Sequence, residues 1–260
     1  DLIPRIIEKS EFETLERGIA QRIEALNLFL GDVYGEQKII KDGVVPTEFV
    51  HTAKAFLPAF IGVEPPKNIR THISGIDLVK DTKTNDWIIL EDNLRVPSGA
   101  SYPLSIRKAY RKVYPEFFEN LEISKVKFYP KHLEDAMNYV NCGGINVVLT
   151  PGRYNSAYYE HSYLAKEADA RLATSADLEV EGGKLYFKNY NGQKIRVGAV
   201  YRRLDDDFLD PLEFRGDSLI GVAGITSAYR AGNVAIMNAI GNGVADDKGI
   251  YYFVPKMIEY

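Results

Sequence analysis

The alternation of hydrophobic and polar positions changes period along the chain, and each change marks an element. In Phe12–Gly35, Leu15, Ile19, Ile23, Leu26 and Leu30 recur at the 3.6-residue spacing of a helix with one apolar face, and Gly31 and Gly35 offer its end. Further helices are predicted over Pro46–Phe60, over Leu104–Leu121 after Pro103, and over Lys131–Val140. Gly75–Lys80 and Trp87–Asp92 are apolar and β-branched, and the polar DTKTND between them supplies turn chemistry, so a hairpin is predicted there. After NCGG at Asn141–Gly144 the pattern becomes strand, loop and helix: Ile145–Thr150, the loop PGRYNSAYYEH, then SYLAKEA. A strand over Leu172–Leu178 and a strand pair within Glu181–Leu204, broken at Gly182-Gly183 and at the hairpin signal Asn191-Gly192, follow. Asn233–Ile240 reads as a buried strand, Gly241–Asp247 as a loop, and Lys248–Tyr260 as a helix interrupted at Pro255. The fold class is α/β, with an expected division into residues 1–141, a helical region carrying the hairpin, and residues 142–260, an alternating α/β domain.

The hairpin carries the most specific chemistry. With its turn centred on Thr84, Val79 pairs with Ile89, Leu78 with Leu90, and Asp77 falls opposite Glu91. Like charges directly opposed destabilise a sheet by about 0.2–1 kcal/mol, and a cation between them reverses the sign. Alternation puts Glu91, Asn93 and Arg95 on the face of Asp77. The oxygens of Asp77, Glu91 and Asn93 suit Mg²⁺, a hard ion that keeps waters and shares its coordination with phosphates. Arg95 is then placed to hold a phosphate oxygen. The plain alternative is a solvated hairpin whose polar residues face outward.

Six blocks in order extend the pattern: GIDLV, LEDNLRVPSGASY, LTPGRYNSAYYEH, YRRLDDDFLDP, AYRAGNVAIMNAIGNGVADDK and VPKMIEY. Together they resemble the circularly permuted ATP-grasp proteins of type 2, similar in layout to glutathionylspermidine synthetase. The resemblance implies an ATP- and Mg²⁺-dependent ligase that joins a small-molecule or peptide carboxylate to an amine through an acyl phosphate. It also implies an order of parts: an ATP-grasp-like metal-binding lobe, a Rossmann-like pre-ATP-grasp substrate domain, and a nucleotide-clamping lobe last. That glycine-rich, lysine-bearing lobe has no counterpart before Tyr260, so these residues are expected to be a fragment of the ligase. On this reading Arg95 stabilises the transferring phosphoryl group, and the amides around Ser98–Ser101, with the Ser98 hydroxyl, hold the acyl group.

Substrate contacts are expected at strand ends, where open α/β sheets bind ligands. Asn155, Ser156, Glu160 and His161 follow the strand ending at Thr150 and offer donors and acceptors, although a strand-to-helix loop needs polar residues in any case. Arg202 and Arg203 precede Asp205, Asp206, Asp207 and Asp210. They read either as a local ion-pair network or as grips for an anionic substrate and an amine. Asn238, Asn242, Asp246, Asp247 and Lys248 offer a polar rim, with Asp246 alternatively capping the last helix. The single Gly-x-Gly at Gly241–Gly243 falls short of a nucleotide fingerprint. The basic cluster Arg107, Lys108, Arg111 and Lys112 reads as a solvated helix face, with Arg107 a minor candidate for a substrate carboxylate.

Composition narrows the remaining classes. The 260 residues are 45% hydrophobic with a formal net charge of −4, which suits a large core and gives no electrostatic reason for nucleic-acid binding. One cysteine, Cys142, excludes an internal disulfide, and scattered histidines argue against zinc. With no long apolar run, no membrane association is expected, and the cytoplasm is the default compartment. Oligomeric state is not encoded in any motif. Two other classes stay open: a non-catalytic α/β binding module, and a metal-dependent hydrolase built on Asp205, Asp206, Asp207 and Asp210.

Overall fold

In chain order the computed structural model, which describes residues 5–260, forms helices α1 (Lys9–Val33), α2 (Lys38–Lys41) and α3 (Thr47–His51), then strands β1 (Gly75–Lys80) and β2 (Trp87–Asn93). Helices α4 (Ser101–Val113), α5 (Pro115–Asn120) and α6 (Tyr129–Val140) follow, then β3 (Ile145–Leu149), α7 (Tyr158–Glu167) and β4 (Arg171–Ala173). Next come β5 (Leu178–Glu181), β6 (Lys184–Lys188) and β7 (Lys194–Arg202). Helices α8 (Asp206–Leu209) and α9 (Ile225–Arg230), strand β8 (Ala235–Met237), and helices α10 (Lys248–Tyr251) and α11 (Val254–Glu259) complete it. The chain parts into two units. One comprises Asp1–Val63, Ser74–Arg95 and Ile240–Tyr260, the other Glu64–Ile73 and Val96–Ala239. A cut at residue 141 or 142 falls inside the second unit, and the last 21 residues join the hairpin rather than the α/β sheet.

Prolines account for most departures from the periodicity. The helix expected over Leu104–Leu121 is broken at Tyr114, whose φ −130° and ψ 63° are non-helical because Pro115 disfavours the α region in the residue before it. Pro115 then opens α5 at a position where no N–H is needed. Within Pro46–Phe60 only α3 and a 3-10 turn at Pro58–Phe60 form. The final helix ends at Tyr251 and restarts with Pro255 in the first turn of α11. Gly241–Asp247, expected as loop, contains a 3-10 turn at Asn242–Asp246.

In the first unit, α1 buries Leu26, Phe29, Leu30 and Val33, and on the same stripe it buries Arg22. That guanidinium meets Asp92 of β2 through two hydrogen bonds, Nε to Oδ1 at 2.8 Å and Nη2 to Oδ2 at 2.6 Å, with both side chains almost fully buried. The Tyr251 ring lies 5.0 Å from the Arg22 guanidinium, and the Tyr251 hydroxyl donates to Ile89 O at 2.5 Å. The Tyr34 hydroxyl, fully buried, donates to Gly241 O at 2.9 Å and accepts from Leu57 N at 3.1 Å. Gly241 has φ +88°, and a Cβ there would run into the Tyr34 ring, so glycine is required on both counts.

The second unit is built on a mixed sheet in which β7 serves two roles. Its first residues, Lys194–Arg196, pair antiparallel with β6, which pairs antiparallel with β5. Its later residues pair parallel with β3 on one side and β8 on the other, and β4 lies parallel beyond β3. Leu133, Met137 and Val140 of α6 and Leu164 and Ala165 of α7 cover Val148, Ala199, Tyr201, Ala235 and Met237. The chain leaves β3 toward β4 and leaves β7 toward β8, so the carboxyl ends of β3 and β7 flank a topological switch point.

A buried bidentate pair is costly to break because the remaining charge has no solvent. Arg22→Ala is expected to destabilise the first unit by about 3–5 kcal/mol, while Arg22→Met with Asp92→Leu recovers most of that loss. Urea unfolding followed by fluorescence of the single tryptophan, Trp87, measures both.

Candidate functional site

The hairpin brings Asp77 and Glu91 together as Cα partners, in the expected opposition. The register around them differs. Leu78 pairs with Ile89 and Val79 with Ile88, because the turn closes one residue tighter, at Lys80 opposite Trp87. Leu90 is the extra residue of a β-bulge between Asp77 and Leu78, and it restores the Asp77–Glu91 pairing. The turn is held by Asp81, whose carboxylate accepts from Lys83 N at 2.7 Å and Thr84 N at 3.2 Å, and by Asn85 at φ +64°.

Alternation about the buried Asp92 turns its neighbours Glu91 and Asn93 to the opposite face, which they share with the exposed Asp77. Among the described residues, the side chains of Asp77 and Asn93 have no hydrogen-bond or ionic partner. Glu91 has Lys248, whose Nζ stands 3.7 Å from Oε2 on a largely exposed side chain. Opposed carboxylates are unfavourable on their own, the exposed Lys248 reaches only one of them, and an all-oxygen donor set is the chemistry of a hard divalent cation. The residues present therefore fit Mg²⁺.

The segment after β2 is clamped from both sides. Leu94 N donates to Asp246 Oδ1 at 2.6 Å, and Leu94 O accepts from Asn242 Nδ2 at 3.1 Å. These bonds fix the backbone between Asn93 and Arg95. Arg95 lays its stem over Gly243, where an added Cβ would come 3.1 Å from Arg95 Cδ and 2.8 Å from Ala55 Cβ. Asp246 is thus engaged as a backbone clamp, and the cap of α10 is Asp247, which accepts from Gly249 N at 2.7 Å. Lys248, expected beside the α/β sheet, belongs to the hairpin unit.

In the second unit Glu160 is the centre. In the first turn of α7 and 1% exposed, it accepts from Ser98 Oγ at 2.8 Å, Gly99 N at 2.9 Å, Ser101 N at 3.0 Å and Ser101 Oγ at 3.0 Å. Arg203 Nη2 stands 3.4 Å away, and Arg203 Nη1 donates to Pro97 O at 2.7 Å and Tyr201 Oη at 2.9 Å. The amides and hydroxyls expected to hold an acyl group are occupied by a carboxylate of the same chain. Burial by itself raises the Glu160 pKa. The amides of Ser101 and Gly99, the Ser98 hydroxyl and the Arg203 charge outweigh it and hold the carboxyl below its ordinary value.

His161, also buried, shares a 2.8 Å hydrogen bond between Nδ1 and Thr150 Oγ1. Desolvation, assisted by the Arg203 charge, lowers its pKa to about 4, so the ring is neutral near pH 7. Asn155 accepts from Ala157 N at 2.9 Å in an Asx turn, and Ser156 is exposed beside it. Arg202 is entirely buried. It pairs with Asp206 at 2.6 Å and donates to Asn238 O, Ala239 O and Leu204 O. Asp210 accepts from Leu212 N, Gly224 N, Thr226 N and Thr226 Oγ1. With Asp205 preceding α8, Asp206 paired and Asp207 exposed, the aspartate run does not converge. Among the described residues no three His, Cys, Asp or Glu side chains gather as for a metal ion.

Arg22, Asp92 and the central role of Glu160 are not evident from the motifs, yet a signal exists. Arg22 falls on the apolar stripe of α1, and Glu160 and His161 on that of α7 with Leu164 and Ala165. A polar side chain on a buried stripe demands a partner.

A family model described as "A circularly permuted ATPgrasp" matches residues 4–260. The chain belongs to the circularly permuted ATP-grasp family. The membership is shown at the level of the circularly permuted ATP-grasp family, without a type within it. A protein of Synechocystis sp. without an assigned activity is 50% identical over the whole of this chain, which covers 54% of that protein. One from Mycobacterium tuberculosis, likewise without an assigned activity, is 46% identical, with 48% of it covered. A Frankia casuarinae protein provisionally named glutamate–cysteine ligase 2-2 is 37% identical over the whole chain, with 30% of it covered. The chain thus spans about half the length of the first two of these relatives. Among the described residues no helix is long and apolar enough to cross a membrane.

The depressed His161 pKa has a consequence for stability. Its folded value of about 4 lies below the ordinary 6.5, so the unfolded chain binds the proton first, and the stabilisation is present above pH 6.5 and lost as pH falls toward 4. His72, lowered to about 4 chiefly by burial, acts in the same window. Thermal unfolding between pH 7 and pH 4 is expected to show a falling midpoint, and His161→Gln to flatten that dependence by on the order of 1–3 kcal/mol.

Proposed function

We propose that the protein to which this chain belongs is an ATP- and Mg²⁺-dependent ligase that joins a carboxylate to an amine. The observation that carries the reading is the Asp77–Glu91 pair, opposed, outward-facing and flanked by Asn93. Membership of the permuted ATP-grasp family supports it. So does the name of the Frankia relative, a ligase of two amino acids, which indicates the same class of bond.

Asp77, Glu91 and Asn93 hold the magnesium ion, which neutralises phosphate charge when bound. Arg95, its backbone set by the Leu94 clamp, presents its guanidinium to the transferring phosphoryl group, where positioned charge is the main source of rate. A carboxylate oxygen of the acid attacks the terminal phosphorus of ATP, and the bond to ADP breaks. The amine then attacks the acyl carbon, phosphate leaves, and the amine loses a proton. Lys248, on the rim beside Glu91, guides the polyphosphate. The second unit, with its parallel strands β3, β4, β7 and β8, serves as the Rossmann-like substrate domain. There Asn155, Ser156 and Asp205 meet the substrate, the buried Arg203 and His161 act as positioning residues, and Ser98 and Ser101 act by fixing their loop on Glu160. The use of ATP, with one cysteine in these 260 residues, suits the cytoplasm. The hydrolase alternative is disfavoured by the engagement of Asp206 and Asp210 elsewhere.

Glu91→Ala in the complete protein is expected to lower Mg²⁺-dependent ATP turnover by about 10²-fold or more, and Asp77→Asn to weaken Mg²⁺ binding in calorimetric titration. Unchanged turnover with Glu91→Ala rejects the ligand assignment. Unchanged turnover together with metal binding lost from Asp206→Asn or Asp207→Asn reinstates the hydrolase.

A further inference from the structure

The bulge in the hairpin runs against two local preferences. From the pair Leu78–Ile89 an uninterrupted ladder continues to Asp77 opposite Leu90, and alternation from the half-buried Ile89 then turns Glu91 inward and Asp92 to water. The extra residue, Leu90, shifts both: Glu91 comes opposite Asp77, and Asp92 becomes the inward side chain. That arrangement interrupts the ladder and opposes two carboxylates, and both are unfavourable in a hairpin by itself. What holds the bulge comes from other elements.

Three anchors fix β2 in this register. The Tyr251 hydroxyl of α10 donates to Ile89 O at 2.5 Å, just before the bulge. Arg22 of α1 holds the Asp92 carboxylate just after it, and Asn242 and Asp246 hold Leu94. Glu91 therefore sits between the first two anchors, and Asn93 between the last two. The first two anchors are joined to each other, since the Tyr251 ring lies 5.0 Å from the Arg22 guanidinium, within reach of a cation–π attraction. Only Leu90 and Glu91 lie between Ile89 and Asp92, so the bulge cannot migrate while both ends are held. We propose that Tyr251 is a positioning residue for the Asp77–Glu91 pair: its hydroxyl pins the strand at Ile89, its ring steadies Arg22, and together they lock the bulge at Leu90. On the reading that this pair holds Mg²⁺, on which the inference rests, the ion's demand for near-octahedral geometry makes its affinity depend on a fixed Glu91.

Tyr251→Phe keeps the ring over Arg22 and removes the hydroxyl; in the complete protein its effect is read by calorimetric titration with Mg²⁺ alone and by hydrogen exchange. Mg²⁺ affinity is expected to fall by about twofold to tenfold, the range that one ordinary hydrogen bond supplies. The Mg²⁺ concentration for half-maximal ATP turnover should rise by the same factor, with turnover at saturating Mg²⁺ little changed. Exchange across Ile88–Asn93 should quicken while that of Leu26–Val33 in α1 stays as it was. Tyr251→Leu, which also removes the ring, should lower the affinity further. Tyr252→Phe, at a neighbouring tyrosine that is 70% exposed, should change none of these. A tyrosine that merely fastens α10 would cost stability on Tyr251→Phe and leave the metal affinity of the folded protein untouched, and that result overturns the inference, as does a uniform quickening of exchange. Failure of the ligand assignment is read separately. Glu91→Ala that leaves Mg²⁺ binding intact rejects the metal site, and the role of Tyr251 falls with it; Glu91→Ala that abolishes binding beside an unaffected Tyr251→Phe rejects the role of Tyr251 alone.

Discussion

The buried ion pair between Arg22 and Asp92 is the constraint that sets which side chains the hairpin turns outward. A strand has two faces, and what decides which side chains face water is the group committed to the interior. Here that group is a carboxylate held by two short hydrogen bonds from a helix 70 residues earlier in the chain. With Asp92 drawn inward, Glu91 and Asn93 have no choice but to point outward. The bulge at Leu90 then brings Glu91 opposite Asp77. The electrostatic strain of the outward pair is sustained by the strength of the inward one.

Two other carboxylates act in the same manner. Asp246 holds the Leu94 amide, and Glu160 gathers the amides and hydroxyls of Ser98–Ser101. Between them they fix the backbone on either side of Arg95 and Pro97, a stretch with no secondary structure of its own. Charged acceptors make strong bonds to backbone N–H groups, so each confers on a loop some of the rigidity that a ladder gives a strand. Asp210 does likewise for the turn before α9. These acidic side chains are consumed in building loops, whereas Asp77 and Glu91 are held by no backbone N–H among the described residues.

That division explains what was readable in advance. The long apolar stripe of α1, the Asp- and Asn-rich turn of the hairpin, the β3 strand and the Asn191-Gly192 turn are local signals, and each produced the expected element. The opposition of Asp77 and Glu91 was legible because alternation fixes faces. The bulge was not, because alternation does not count residues across a ladder. The break at Tyr114 was legible in principle from Pro115, but the apolar residues on both sides masked it. The return of Ile240–Tyr260 to the hairpin depends on pairings such as Leu94 with Asp246, separated by 152 residues, for which no local period exists. The same holds for Glu160: its helix was predictable, and its partners 59–62 residues upstream were not.

The interleaving of the two units imposes an order on biogenesis. Everything in the sheet-bearing unit is translated before Ile240, whereas the hairpin waits for Asn242, Asp246, Lys248 and Tyr251. A nascent chain halted before those residues emerge has its acidic pair on a ribbon that nothing yet grips beyond Asn93. Two-stranded ribbons by themselves are marginal in water. Domains fold vectorially from the ribosome, so the Asp77–Glu91 face is among the last parts of these residues to take shape, and an incomplete polypeptide carries both carboxylates without the contacts that align them.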